Sequence, residues 1–400
     1  MIVQDKPTTA LSYCLNVHAG ESWDNHFHAI QTHALAVRDR VAPDRPFGLG
    51  LRVSAAASRT LREEPALATF QSFMREHNLF AFTINGFPFG RFHGGRVKER
   101  VYQPDWMDDA RVRYTTDLAD ILSRLLPDDM DGSISTVPGA YRALVRHDRD
   151  ADVIAGNLAR VAAHLARVRD ATGRLIHLGL EPEPDCYMET APELIHFFEH
   201  HVWRHGRDAL AQERACSANE AEAILRTHIG ACLDTCHAAL VFENPAETIA
   251  AYQAAGVRIS KIQISAALET ANTEAGRMAL RPFDEPVYLH QVKGQHMDGT
   301  LQSWRDLPDA LVALPRQPMI DTVRVHFHVP LFWNGDGPLA STTSTLTPAF
   351  WQAARAGACP HLEIETYTFD VLPEVMRTGG IDASVSAEFA WVLNQWHTNK

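Results

Sequence analysis

The sequence predicts an α/β protein that folds as a (β/α)8 TIM barrel, and three observations support this prediction. Short apolar runs alternate with longer amphipathic stretches along almost the whole chain, which is the pattern of a parallel sheet with crossover helices. Acidic, amide and imidazole side chains directly follow several apolar runs, and a barrel would collect them on one rim. An open doubly wound sheet is the alternative, but the chain has no G-x-G-x-x-G turn or P-loop to mark its ligand crevice.

Nine segments have the length and apolar content of buried strands. In residue numbers they are 12–17, 47–53, 79–84, 132–137, 174–180, 229–233, 258–265, 323–329 and 362–367. An eight-stranded barrel holds one fewer, so we expect one segment to belong to a hairpin or an insertion. Residues 265–305 are the predicted insertion, which follows the seventh strand.

Amphipathic patterns predict helices between these strands. They cover residues 23–41, 61–77, 111–126, 153–169, 192–205 and 219–227, with shorter helices at 245–255 and 308–314. Pro and Gly mark the junctions, as at Pro138, Gly139 and Gly256. Because no repeat, low-complexity tract or linker interrupts the series, residues 1–400 are predicted to form a single barrel domain.

The composition is that of a soluble protein: 46% of residues are hydrophobic and 22% are charged. The 37 basic and 49 acidic residues give a net charge of −12, which argues against nucleic-acid binding. No apolar stretch approaches the roughly 20 residues of a membrane span, and no signal peptide is evident. The six cysteines are scattered, and Cys232 and Cys236 lack the spacing of a zinc or redox motif, which predicts reduced thiols and a cytoplasmic location.

The segment Leu233-Asp234-Thr235-Cys236-His237 gives the strongest indication of a functional site. An apolar run ends in a carboxylate, and a histidine follows three positions later. This arrangement brings a hard oxygen ligand and an imidazole to the same rim, as a divalent metal site requires. On its own the pattern fits equally well an aspartate that caps the next helix and a histidine that only packs.

Other strand ends supply more polar groups, and their convergence favours a metal site. They are Glu181, Glu183, Gln263, His326, His328, Glu363 and Glu365. The two-residue period of a strand places His326 and His328 on one face, and likewise Glu363 and Glu365. Burying several carboxylates together is costly unless a cation compensates their charge. We therefore expect a divalent cation at the rim, with Glu363 lying deeper and pairing with His326 or an arginine.

The individual assignments differ in strength. Glu181 is better placed as a ligand than Glu183, which either binds substrate or faces water, because Glu181 comes first after the apolar run. Glu365 lies nearer the predicted rim than Glu363. Gln263 is a weak metal ligand, and an interior amide with satisfied hydrogen bonds is an equally good interpretation.

Residues 83–94 (TINGFPFGRFHG) follow a strand and are rich in Gly, Phe and Pro. Long aromatic loops after barrel strands often cover a ligand, so we expect Asn85 and His93 to point inward toward substrate. The alternative is an ordered surface loop whose phenylalanines pack on the barrel. Asn16 and His18 alternate inward on the first strand, where hydrogen-bonded core residues are equally expected.

These residues resemble the xylose isomerase-like TIM-barrel superfamily, which includes sugar isomerases, ketose 3-epimerases and endonuclease IV-type enzymes. The segment 233–237 is similar to the motif of the sixth strand, Glu181 to the ligand of the fifth, and Glu365-Thr366 to that of the last. The resemblance implies one divalent metal ion held by two Glu, one Asp and a histidine of the seventh strand. Gln263 occupies that histidine position here, and His328 is the candidate replacement.

The resemblance also implies roles. The predicted metal ligands are Glu181, Asp234, His328 and Glu365, and the ion is Mn²⁺, Mg²⁺, Zn²⁺ or Co²⁺. Glu181 and Glu365 are the expected groups for proton transfer, with His237 at a substrate oxygen. The predicted substrate-binding residues are Asn85, His93, Glu183, Gln263 and His326. The expected activity is isomerase- or epimerase-type proton transfer on a small hydroxy-carbonyl or sugar-like metabolite, and the three-metal endonuclease branch is disfavoured.

The chain is similar, more closely still, to the EboE family of Ebo-cluster metabolite traffic proteins. The segments that carry this resemblance are 13–18 (YCLNVH), 85–94 (NGFPFGRFHG), 133–139 (SISTVPG) and 363–368 (EIETYT). It implies that the protein handles a secondary metabolite or its precursor, together with partner proteins of the same gene cluster. Because a fold does not determine a function, a non-catalytic carrier on a barrel that has lost its chemistry is the alternative.

Overall fold

Eight parallel strands form a barrel in the computed structural model, which describes residues 1–93, 95, 98–377 and 379–398. The strands of the described residues are β1 Ile2–Asp5, β2 Thr8–Tyr13, β3 Phe47–Arg52, β4 Leu79–Asn85, β5 Gly132–Thr136, β6 Ile176–Leu180, β7 Ile229–Asp234, β8 Arg258–Ile264, β9 Leu268–Ala271, β10 Val292–His296, β11 Leu301–Trp304, β12 Ile320–Val325, β13 Leu339–Ser341 and β14 His361–Ile364. The barrel sheet runs β1-β2-β14-β8-β7-β6-β5-β4-β3, and a parallel bridge between Cys14 and Gly50 closes it. The predicted α/β barrel class is therefore confirmed.

The barrel strands are apolar runs because they are covered on both sides, by the helices outside and by each other inside. Every residue of β3, β5, β6 and β7 is buried. The strands pair in parallel around the barrel, and only β1 joins antiparallel, on the outer edge of β2. Parallel pairing places all eight C-terminal strand ends on one rim, which is where side chains from distant parts of the chain can meet.

Helices connect the strands and surround the barrel. They are α1 Trp23–Ala29, α2 Leu35–Val41, α3 Ala55–Leu61, α4 Glu64–Glu76, α5 Asp109–Leu125, α6 Asp148–Thr172, α7 Ala191–Phe197, α8 Arg207–Arg214, α9 Ala218–His228, α10 Thr235–Leu240, α11 Pro245–Ala254, α12 Glu274–Leu280, α13 Leu307–Ala313, α14 Pro348–Arg355 and α15 Ile381–Thr398. Side chains of Ser22, Thr190 and Ser217 cap α1, α7 and α9 in capping boxes.

The part of the chain that follows β8 and precedes β14 forms a second sheet, and this sheet is the insertion. Its five strands are antiparallel in the order β11-β10-β12-β9-β13. The predicted insertion at 265–305 is therefore correct in place but too short, since the sheet continues to Ser341. Of the nine predicted strands, the one that does not belong to the barrel is 323–329. It corresponds to β12 of the second sheet, so His326 and His328 follow a strand of the insertion and not a barrel strand.

The other differences from prediction are local. The first barrel strand begins at Thr8, and residues Leu15–Val17 form a 3₁₀ turn where strand was predicted. Helices α3, α8, α10, α12, α14 and α15 were not predicted. All six cysteines lie in the described residues and are free thiols, and no helix there is long and apolar enough to span a bilayer.

Candidate functional site

The C-terminal ends of the barrel strands surround a cavity of about 50 Å³. At roughly 10–15 Å³ per water molecule, this space accommodates an ion with a few waters. The loop after β4, the turn after β6, the insertion and the end of β14 all contribute to its wall. The predicted site residues that line it are Asn85, Glu181, Glu183, His237, His326, His328 and Glu365.

Three carboxylates converge at this rim, as the sequence predicted. Glu181, Asp234 and Glu365 each place one oxygen within 4.8 Å of an oxygen of the other two. They follow or end β6, β7 and β14, and their exposed fractions are 3%, 2% and 4%. Oxygens at this separation can share one cation, whose bonds to carboxylate oxygen are roughly 2.0–2.6 Å long.

Asp234 both caps a helix and presents an oxygen to the site. Its Oδ1 accepts hydrogen bonds from the backbone N–H groups of Cys236 at 2.7 Å and His237 at 3.0 Å, which begin α10. The Ser265 hydroxyl donates to the same oxygen at 2.7 Å. Its Oδ2 is buried with no hydrogen-bond partner among the described residues. The capping and the metal interpretations are therefore compatible, because each uses a different oxygen.

Glu365 is held by three side-chain amides. Asn16 and Asn85 donate to its Oε1 at 2.7 Å and 3.2 Å, and Gln263 donates to its Oε2. The carbonyl oxygen of the Gln263 side chain accepts from the Cys232 thiol at 2.7 Å, so both ends of this amide are engaged. Gln263 thus orients Glu365, and a substrate contact through Gln263 would require one of these bonds to break.

Two further buried atoms at the rim have no hydrogen-bond partner in the part of the chain that the structure describes. Oε2 of Glu181 is buried and unbonded. The His328 ring donates from Nδ1 to the backbone carbonyl of Glu365 at 2.8 Å, which leaves Nε2 as a lone pair that is also buried and unbonded. A nitrogen of His328 lies within 4.8 Å of ligand atoms of Asp234 and His237. Buried polar atoms are usually paired with protein or with ordered water, so these atoms are available to water or to a bound species.

Burial and mutual repulsion shift the pKa values of the three converging carboxylates. Burial, followed by the charges of Glu365 and Asp234, raises the pKa of Glu181 well above its usual range. Burial and then Asp234 do the same to the pKa of Glu365. Burial opposes ionisation of Asp234 too, but His237 and His328 hold its pKa below the usual value. These directions favour ionisation of Asp234 over ionisation of Glu181 and Glu365, and a bound cation would favour the ionised form of all three.

A second set of polar residues lies next to the carboxylates. The Nε2 atoms of His237 and His326 are 3.0 Å apart. Glu183 accepts a hydrogen bond at 2.8 Å from the Tyr102 hydroxyl, while its Oε2 is buried without a partner. Burial lowers the pKa of His237 to about 4 and that of His326 well below its usual value, and it raises the pKa of Glu183 to about 8.

Glu363 lies deeper in the barrel, as expected, but its predicted partner is wrong. It pairs with Lys261 at 2.8 Å, and neither side chain is exposed. Lys261 precedes Gln263 by two residues on β8, so both side chains point into the barrel and each donates to a glutamate of β14. His326 is instead engaged by His237 and Gln291.

The predicted loop after β4 covers the cavity. Asn85 points into the site, and Phe87 and Phe92 line the cavity. His93 uses both ring nitrogens, with Nε2 at 2.5 Å from the carbonyl of Asn16 and Nδ1 at 2.8 Å from the Tyr288 hydroxyl. It therefore links the loop to the barrel and the insertion, and contact with a substrate would break one of these bonds. Gly94 of this loop lies outside the described residues.

The sequence analysis missed several residues of the site. Tyr102, Tyr288 and Tyr367 line the cavity, and Gln291 orients His326 by accepting from its Nδ1 at 2.7 Å. Tyr102 and Gln291 come from loops with no strand-end pattern, so no sequence signal marked them. Tyr367 follows Glu365 by two residues, and the period of an extended chain could have identified it.

Comparisons with known proteins identify similar folds. No protein-family model and no curated protein matches this sequence. Similar solved structures include the probable 3-DHS dehydratase AsbF of Bacillus anthracis, involved in petrobactin synthesis, with 10% identity, 96% of this chain and 99% of that chain covered, and a TM-score of 0.48. An L-ribulose 3-epimerase has 14% identity, coverage of 98% and 95%, and a TM-score of 0.47. The IolI protein with a bound zinc atom has 10% identity, coverage of 98% and 99%, and a TM-score of 0.46. At these identities no residue role is transferred to the present chain.

Proposed function

We propose that this protein is a divalent-metal-dependent enzyme that acts on a small hydroxy-carbonyl or sugar-like metabolite by isomerase- or epimerase-type proton transfer. The observation that carries the proposal is the convergence of Glu181, Asp234 and Glu365 within 4.8 Å, with buried unbonded atoms on Glu181 and Asp234. Bringing three buried carboxylates together without a cation is strongly unfavourable.

The available donor set fits one divalent cation. Glu181, Asp234 and Glu365 would supply oxygens. His328, a nitrogen of which lies within 4.8 Å of a carboxylate oxygen of Asp234, would supply a nitrogen in place of the histidine expected at Gln263. Three oxygens suit Mg²⁺ or Mn²⁺, and the added imidazole also admits Zn²⁺ or Co²⁺. When bound, such an ion acidifies the carbon-bound proton beside a carbonyl of the substrate.

Among these residues Glu181 is best suited to move a proton. Its Oε2 has no partner, whereas both oxygens of Glu365 accept hydrogen bonds from amides. Glu365 can still act as the second proton carrier after a change in these hydrogen bonds. His237 lies 3.8 Å from Glu181, measured from Nδ1 to Oε1, and lines the same cavity, where it can bind a substrate oxygen.

The wall of the cavity favours a small substrate with both polar and apolar parts. Asn85, Glu183 and His326 offer hydrogen-bonding groups, and the rings of Phe92 and Tyr367, which also line the cavity, lie 5.2 Å apart between centroids. The cavity has room for only a few water molecules, and we expect the loop after β4 to move when a substrate binds. Once closed, the loop would keep water from the reacting carbon.

Metal content is the first test. Protein purified without chelator should contain close to one equivalent or more of a divalent metal, or take it up on addition of Mn²⁺. Asp234→Asn should lower the affinity for Mn²⁺ at least tenfold, whereas Asp306→Asn, at an ion pair with Lys98 outside the carboxylate group, should leave it unchanged. Less than a tenth of an equivalent in wild-type protein, unchanged by Mn²⁺, would contradict the proposal.

Proton transfer can be tested without knowing the product. Incubating the metal-loaded protein with a panel of ketoses and aldoses in D₂O should exchange a carbon-bound hydrogen of at least one of them, as followed by NMR. Glu181→Gln should abolish the exchange but retain binding of the same sugar. Exchange at the wild-type rate in this variant would exclude Glu181 as the proton acceptor.

A non-catalytic metabolite carrier is the second candidate, and the contact between Gln263 and Glu365 favours it. An amide replaces the fourth ligand expected from the family resemblance and occupies a carboxylate oxygen. The double variant Asp234→Asn, Glu365→Gln separates the two functions by genetic complementation of the pathway. Loss of function with intact folding supports catalysis, and full function supports the carrier.

We further propose that the substrate belongs to a secondary-metabolite pathway whose proteins are encoded together with this one, as the resemblance to the EboE family implies. The pathway proposal is supported by the sequence resemblance. Deleting the gene should cause the precursor to accumulate or fail to reach its destination, and affinity purification of the intact protein should recover products of neighbouring genes. Normal metabolite levels after deletion would contradict the pathway assignment.

A further inference from the structure

The imidazole rings of His237 and His326 approach each other through their Nε2 atoms, and the hydrogen bonds of both rings show that neither of these atoms carries a hydrogen. Nδ1 of His237 is 3.1 Å from the carbonyl of Pro182, and a carbonyl only accepts, so that nitrogen carries the hydrogen. Nδ1 of His326 is 2.7 Å from Oε1 of Gln291. The Gln291 amide nitrogen donates to the Pro184 carbonyl at 3.1 Å, which establishes Oε1 as the acceptor.

Both Nε2 atoms therefore carry a lone pair and no hydrogen, and they lie 3.0 Å apart. Two lone pairs at this distance repel each other unless a cation lies between them. Two nitrogens bound to one Zn²⁺ at about 2.0–2.1 Å are roughly 3.3 Å apart when the geometry is tetrahedral. The observed separation is close to that value.

A third buried donor completes the group. Glu183 is 6% exposed, and the Tyr102 hydroxyl donates to its Oε1, whereas its Oε2 has no hydrogen-bond partner among the described residues. A carboxylate oxygen of Glu183 lies within 4.8 Å of the ring nitrogens of His237 and His326. A shared proton would satisfy the two rings only, whereas a metal ion would also satisfy the glutamate.

We propose that Glu183, His237 and His326 hold a second divalent cation, of the Zn²⁺ type, next to the carboxylate site. Two imidazoles and one carboxylate are a ligand set that Zn²⁺ commonly takes, with a fourth position open to water or substrate. The proposal is separate from the function proposed above, because none of its three ligands belongs to the group of Glu181, Asp234 and Glu365. His237 would then reach a substrate oxygen through this ion.

The insertion supplies one ligand of this proposed site and the residue that orients that ligand. His326 follows β12 of the second sheet, and Gln291, which orients it, precedes β10 of the same sheet. Glu183 comes from the loop after β6, and His237 comes from α10, which directly follows β7. A cation held by these three residues, all of which line the cavity, would join the insertion to the barrel and would place an electrophile in the cavity wall.

Zn²⁺ stoichiometry tests the proposal on the full-length protein. After incubation with excess Zn²⁺ and gel filtration, wild-type protein should retain two equivalents, and Glu183→Gln and His326→Gln should each retain one. Asp234→Asn should also retain one, lost from the other site. His196→Gln is the control for surface binding, since the exposed rings of His196 and His200 stack at 3.9 Å, and it should still retain two equivalents.

The outcomes separate the two sites. One equivalent in wild-type protein that is lost in Asp234→Asn but kept in His326→Gln overturns the second site and leaves the proposed function intact. One equivalent that is lost in His326→Gln but kept in Asp234→Asn supports the site of Glu183, His237 and His326 and contradicts the metal site of the proposed function. X-ray absorption at the zinc edge of wild-type protein needs no variant: two equivalents should give more than one imidazole per zinc on average, and one or fewer would overturn the proposal.

Discussion

The side-chain amide of Gln263 donates to Oε2 of Glu365, the carboxylate at the end of the last barrel strand. Gln263 lies on β8, the seventh strand of the barrel, where the family resemblance places a histidine ligand. The residue therefore orients a predicted ligand and does not itself offer one. This contact makes the state of Glu365 depend on whether a cation is present, because the amide and a cation compete for the same oxygen.

Replacing Gln263 by Leu tests this competition. Metal-free protein should lose about 1–3 kcal/mol of unfolding free energy, because a buried oxygen of Glu365 and the thiol of Cys232 lose their partner. With saturating Mn²⁺ the loss should be smaller, since the ion binds the freed oxygen. Denaturant unfolding with EDTA and with Mn²⁺ measures both values, and Gln253→Leu, at an exposed position, is the control. An equal loss in both conditions would show that Glu365 does not bind the ion.

The buried ion pair of Lys261 and Glu363 should be essential to the barrel interior. Both side chains are fully buried, and their charged atoms are 2.8 Å apart. Lys261→Met leaves the glutamate without compensation and should lower the unfolding free energy by about 3–5 kcal/mol, whereas the double variant Lys261→Met, Glu363→Leu should recover most of the loss. Urea unfolding of the two proteins gives the comparison. A double variant as unstable as the single one would assign the loss to packing instead of charge.

Gly50 is required where the barrel closes. A Cβ atom on this residue would lie 1.9 Å from Oε1 of Glu363 and 2.6 Å from the carbonyl oxygen of Tyr13. Gly50→Ala should therefore lower the melting temperature measurably and cost about 1–3 kcal/mol, because the neighbouring backbone cannot move freely. Gly90→Ala, where a Cβ meets nothing within 4 Å, is the matched control and should change stability by less than about 0.5 kcal/mol. Equal effects of the two variants would contradict the close approach.

Glu388 should make stability depend on pH. This residue of α15 accepts from the Thr366 hydroxyl at 2.6 Å and from the backbone N–H of Leu331 at 3.1 Å, and burial raises its pKa to about 7. Because the folded pKa lies above the unfolded value, the stability it contributes is present in acid and is lost as the pH rises through about 7.

Glu388→Gln removes this dependence because glutamine keeps the acceptor oxygen without the charge. The gain in unfolding free energy over wild type should be roughly 2 kcal/mol larger at pH 8 than at pH 5. Thermal and denaturant unfolding at the two pH values measure the difference. Glu76→Gln, at an exposed helix position, is the control, and a pH-independent effect of Glu388→Gln would show that the carboxyl does not titrate in this range.

The sequence alone determined the barrel and its rim, because both depend on local order along the chain. Alternation of apolar runs and helices predicts parallel strands, and residues such as Asp234 and Glu365 directly follow or end those runs. In a closed barrel the strand ends meet on one side, so the convergence of these carboxylates with Glu181 followed from their positions.

Only the tertiary structure decided which atoms of the site are engaged and which are free. Residues 263 and 365, 237 and 326, and 261 and 363 are each separated by 89 to 102 positions, and their contacts depend on how β8, β14 and the insertion are placed. The strand period gives the face on which a side chain lies, but not its partner across the barrel. The insertion was harder still to predict, because its antiparallel strands pair in an order that the local pattern does not contain, and that order brings His326 to His237.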